Sequence, residues 1–86
     1  MLARIEQFFD ESYPKIAEES AQGQGPYLEA LAALVGCNAR QTVLLEKALQ
    51  QNYQNVFEKD DIDHVISEFY TVVNSDDELA ACWPES

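Results

Sequence analysis

The chain has 86 residues, 47% of them hydrophobic and 24% charged, with sixteen acids against five bases and a net charge of −11. That length predicts one domain with one core over residues 1–86, burying roughly 60–65% of the unfolded surface. The apolar content, with only three glycines and three prolines, excludes a disordered tail, and the charge repels nucleic acid and anionic headgroups while favouring a basic partner or cations.

The charge is unevenly spread. Residues 1–20 carry five acids and two bases, residues 21–57 two of each, and residues 58–86 nine acids with Lys59 as the lone base. The longest uninterrupted apolar run, 30–35, has six residues, far short of the roughly 18 needed to cross a bilayer, so no membrane insertion is expected. No basic stretch followed by an apolar one opens the chain, so it shows no signal peptide. It is either cytoplasmic or a mature piece without its leader.

Leu2, Ile5, Phe9, Ser12 and Ile16 recur at intervals of three and four, which predicts one face of an amphipathic helix. Phe8 and Tyr13 widen that face, and Glu6, Asp10, Glu11, Glu18 and Glu19 mostly take the other side. Pro14 removes a backbone donor and crowds the preceding turn, predicting a kink or a restart with Ser12 as N-cap. The helix should end between residues 21 and 23.

Gly23 and Gly25 then supply a flexible or left-handed corner, and Pro26 stands where a first helical residue is favoured, so the three together form a hinge. Tyr27, Leu28, Leu31, Leu34 and Val35 make the apolar side of a short helix that Gly36 closes. Alanines 30, 32 and 33 keep it slim, so neighbours can approach its backbone, and this stretch is the expected centre of the fold. Asn38-Ala-Arg-Gln41 has the form of a capping box. The helix it opens is expected to run to about Phe57, with Leu45, Leu49, Tyr53 and Val56 or Phe57 inward. Asp60 or Asp61 caps the next helix, which carries Ile62, Val65, Ile66, Phe69, Tyr70 and Val73 and closes at Asn74-Ser75. Ser75-Asp-Asp-Glu78 reads as a second capping box, opening a short helix with Leu79, Cys82 and Trp83 that Pro84 ends. No segment alternates with period two. The expected architecture is all-α, one compact bundle of four to five short helices.

Few residues carry chemistry. Cys37 and Cys82 each sit at a helix end; bridged, they would staple a small domain, and unbridged they would be two buried thiols of a cytoplasmic protein. Neither belongs to a C-x-x-C pair, which argues against a redox role. Gly23-Gln24-Gly25 lacks the third glycine of a dinucleotide fingerprint, the strand before it and the lysine of a P-loop, so no cofactor is expected. Asp60, Asp61, Asp63, His64 and Glu68 form the one cluster with metal-ligand chemistry. It lacks the glycine and spaced glutamate of a calcium loop, one histidine with one carboxylate is at most half a site, and helix capping on a solvated acidic face is the expected reading of it. His64 is the single histidine, no Gly-x-Ser-x-Gly turn exists, and the adjacent Glu18 and Glu19 point apart on a helix, so the chain is not expected to be an enzyme. The aromatic residues fall on inner faces, leaving Trp83 as the best candidate anchor for a partner.

The stretch Ala21-Gln-Gly23-Gln-Gly25-Pro-Tyr27-Leu28-Glu-Ala-Leu31-Ala32-Ala-Leu34-Val-Gly36 resembles a family of small exported bacterial proteins of unknown function. The resemblance extends over roughly residues 5–58 and includes Asn52-Tyr53-Gln-Asn-Val56-Phe57, similar to a turn in that family. Pro26 departs from it, standing where an acid is more usual. The resemblance implies export to the periplasm, and with export it implies a Cys37–Cys82 disulfide. It implies no activity. The expectation is therefore a non-enzymatic acidic domain acting by protein–protein contact in the bacterial envelope on an unidentified, basic partner; the alternative is a metal- or small-ligand-binding module.

Overall fold

Pro14 lies inside the first helix, α1 (Leu2–Gln22), and the disruption it causes falls two residues earlier, where Ser12 leaves helical geometry (φ −124°, ψ 19°). The computed structural model describes residues 2–82, without the side chains of Leu2 and Ala3. Leu2 as a core residue, and Trp83 and Pro84, therefore lie outside what is described. Beyond the kink, α1 buries Ile5, Phe9 and Ile16. It ends at Gly23, whose N–H donates to the Glu19 carbonyl at 2.7 Å.

The second helix, α2 (Pro26–Val35), begins on the expected proline and stops at Gly36, which takes φ 103°. That left-handed turn lets Gly36 and Cys37 return their N–H groups to the Ala32 carbonyl, at 3.0 and 2.9 Å. Leu28, Leu31, Ala32 and Val35 are buried, and α2 packs against both α1 and the next helix.

Asn38 caps α3 (Ala39–Gln51) through the complete predicted box. Its Oδ1 accepts from Gln41 N at 2.8 Å, and Gln41 Oε1 accepts from Asn38 N at 2.9 Å. The expected continuation to Phe57 is corrected. Asn52 breaks the helix at φ −105°, ψ 15°, its amide turning back to the Ala48 carbonyl at 2.8 Å, and a separate turn, α4 (Tyr53–Val56), follows. A side chain that satisfies its own backbone competes with helix continuation, and here it wins.

Asp61 caps α5 (Ile62–Asn74), accepting from Asp63 N at 3.0 Å. The second box is corrected as well. Ser75 closes α5, donating to the Val72 carbonyl at 2.9 Å, and Asp76 opens α6 (Asp77–Ala80) by accepting from Glu78 N. Helices α1, α2 and α3 pack mutually, and α5 closes over α1, α3, α4 and α6. Phe9 meets Phe69 edge-on across the core, ring centroids 5.1 Å apart. The result is all-α, with six helices and no strand among the described residues. Its dimensions are 29 × 25 × 22 Å.

Candidate functional site

The glycine corner is held by side chains distant in sequence. Predicted to face outward with its neighbour, Glu19 is instead buried, and its Oε1 accepts from the Tyr27 and Leu28 N–H groups at 2.7 and 3.1 Å. It thus caps α2 from α1, placing negative charge at a helix N-terminus that Gly25 cannot cap itself. From α3, Glu46 Oε2 accepts from Gly25 N at 3.3 Å, and Gln50 Nε2 donates to the Ala21 and Gln22 carbonyls. At the corner Gly23 and Gly25 both take positive φ, 83° and 152°, and Pro26 enters α2 directly.

Glu46 is 8% exposed. Burial raises its carboxyl pKa above the ordinary glutamate value of 4.5, and the charges of Glu29 and Glu19 raise it further, against the lowering effect of the Gly25 N–H. Above it lies a groove of about 300 Å³ between α2 and α3, lined by Glu29, Ala39, Thr42, Val43 and Glu46. Val43 is 62% exposed, a large apolar side chain left in solvent. Sequence reasoning passed over it because Val43 lies off the Leu45–Leu49 face. A β-branched apolar residue among polar positions was the available signal.

Cys37 and Cys82 are bridged, with Cα atoms 4.6 Å apart. The disulfide joins the end of α2 to the turn after α6. Nearby, Arg40 pairs with Glu78 at 3.3 Å, and Gln41 Nε2 donates to the Glu78 carbonyl at 3.0 Å.

The acidic cluster does not assemble into a metal site. Asp61 is spent on the α5 cap, and the His64 ring contacts the Asn55 carbonyl at 3.1 Å. Asp60, Asp61 and Asp63 are exposed along a turn and a helix start, which splays them into solvent; Glu68 lies a turn further on, half-buried. Among the described residues no group of three or more His, Cys, Asp or Glu is placed to hold a metal ion. Asp60 acts elsewhere: Tyr13, half-buried against Phe57 at 6.0 Å, has its phenol pKa raised by burial and then by the Asp60 and Tyr53 charges.

No described helix is long and apolar enough to cross a membrane. No curated protein and no solved structure matches the chain. A family described as a protein of unknown function (DUF3015) matches residues 2–82, so its extent reaches past the roughly 5–58 span of the resemblance. The chain, with its pinned glycine corner and its bridged Cys37 and Cys82, belongs to that family.

Proposed function

We propose that this is a non-enzymatic, exported helical domain that acts by contact with a basic partner protein in the bacterial envelope. The observation that carries the reading is the exposed Val43 beside a groove bearing Glu29 and Glu46, on a domain of net charge −11. An exposed apolar side chain in a groove with the exposed carboxylate of Glu29 suits a partner residue with an aliphatic stem and a cationic head. The net negative charge of the whole domain steers such a partner towards it. The disulfide supports an oxidising compartment, the periplasm being the one the sequence resemblance implies.

The test is calorimetric titration with a lysine-rich peptide carrying interspersed leucines. Affinity should fall about tenfold or more between 50 and 300 mM salt, and by a comparable factor in Val43→Ser or Glu29→Gln. Binding equal in parent and both variants would remove the groove from the reading. Salt-insensitive binding, or none, would remove the basic partner.

A further inference from the structure

The break at Asn52 that ends α3 opens a second hollow, which shares no lining residue with the Val43 groove. It encloses about 420 Å³ and is lined by Ala21 and residues 50–55, the run Gln-Gln-Asn-Tyr-Gln-Asn. In a chain with sixteen acids, none of these lining residues is an acid or a base of the Lys, Arg or His type. Two of the amides are spent inward, Gln50 on the end of α1 and Asn52 on the Ala48 carbonyl. Those of Gln51, Gln54 and Asn55 belong to exposed residues and make no side-chain hydrogen bond among the described residues. Tyr53 is half-buried, its ring braced by Phe57 at 5.1 Å, and Phe57 is braced in turn by Tyr13 from α1.

A primary amide offers donors and an acceptor side by side. Neighbouring hydroxyls on a sugar ring both donate and accept, so several amides around one hollow can engage them in pairs. A fixed tyrosine adds a flat apolar face, which the C–H face of a pyranose can cover, and a polar tip at its edge. A charged ligand would find no countercharge in this lining, and an anion would also meet the repulsion of the whole domain. A peptide would need a sheet edge or a series of apolar sockets. The hollow has one aromatic ring, one alanine and no strand.

We infer that this hollow is a binding site for a neutral saccharide, with Gln51, Gln54 and Asn55 addressing its hydroxyls and Tyr53 stacking on a ring face. The inference is independent of the basic-partner reading and survives its failure.

Amide chemical shifts of the isotope-labelled 86-residue protein would be followed against uncharged tetramers of N-acetylglucosamine and of glucose, with a neutral alanine–serine tetrapeptide alongside. One tetramer should shift the amides of residues 50–55 in a saturable way, with a dissociation constant on the order of 1 mM, as an open hollow allows. Gln54→Ala/Asn55→Ala should weaken that binding about fivefold or more while leaving the thermal midpoint parental, because both side chains are exposed. Tyr53→Phe should keep most of the affinity, since the stacking face remains. No saturable shift below about 20 mM, which is weaker than such a contact set should give, would overturn the proposal. So would shifts centred elsewhere, binding unchanged in the double variant, or the tetrapeptide moving the same amides at lower concentration.

Discussion

Glu19 caps a helix to which it does not belong, and this places unusual demands on Gly25. The Glu19 carboxylate lies where a side chain at position 25 would be, so any Cβ there collides with it, and φ 152° is a conformation that essentially only glycine adopts. Glu19→Ala should cost about 1–3 kcal/mol by stranding two backbone donors, and Gly25→Ala about as much through clash and strain. The double variant should be more stable than the sum predicts, because removing the carboxylate removes the clash. Urea unfolding of the four proteins measures this, and strict additivity would mean that the two residues do not share the corner. Glu46 behaves differently. Its pKa is raised in the fold, so between the ordinary glutamate range and that raised value the folded state holds more protons than the unfolded one. Its contribution to stability is therefore more favourable at low pH and is lost as pH rises through the window. Glu46→Gln keeps an acceptor for Gly25 N and discards the charge. Its thermal midpoint should exceed the parent's at pH 7, and the advantage should shrink as the pH is lowered towards the ordinary glutamate value. A difference independent of pH would sink this account.

At the scale of the element, the caps were legible wherever they depend on neighbours in sequence. Asn38 and Gln41 close their box as the spacing implies, and Asn38→Ala should destabilise the protein by about 1 kcal/mol in denaturant titration. No loss would mean that water replaces the cap at no cost. The apolar periodicity likewise located the buried faces of α1, α2 and α5, because burial of one stripe is what drives an amphipathic helix onto a core. Interactions between distant residues were hidden. Glu19 read as an outward acid because nothing local shows that α2 begins beside it, seven residues on. Asn52 read as helix interior because its amide competes for its own backbone, a contest that periodicity does not register. The same break created the amide-lined hollow, so a missed boundary and a missed site have one cause. Ser75 and Asp76 show a milder case, in which two adjacent capping residues divide the end of one helix and the start of the next.

At the scale of the molecule, eleven uncompensated negative charges oppose compaction. Two ion pairs form among the described residues, Lys15–Glu18 and Arg40–Glu78, both with exposed side chains and so worth little. Raising the salt concentration from about 20 to 200 mM shortens the screening length below 10 Å and should raise the thermal midpoint. A flat response would mean that the charges are spaced too widely to repel. The disulfide offsets that repulsion from the other direction. It closes a separation of 45 residues, and in the chain-entropy account such a loop is worth about 4 kcal/mol, a large part of what a domain this small can have. Its effect should also be local. Four residues cannot sustain α6 alone; Leu79 is buried, and Glu78 ties the helix to α3 through exposed contacts. In Cys37→Ser/Cys82→Ser, hydrogen exchange should therefore speed up first at residues 80–82, with α1 and α2 still protected, and the salt dependence of the midpoint should steepen. Uniform loss of protection through the whole chain would instead make the staple a condition for folding anything, and α6 a part of the core on equal terms with α5.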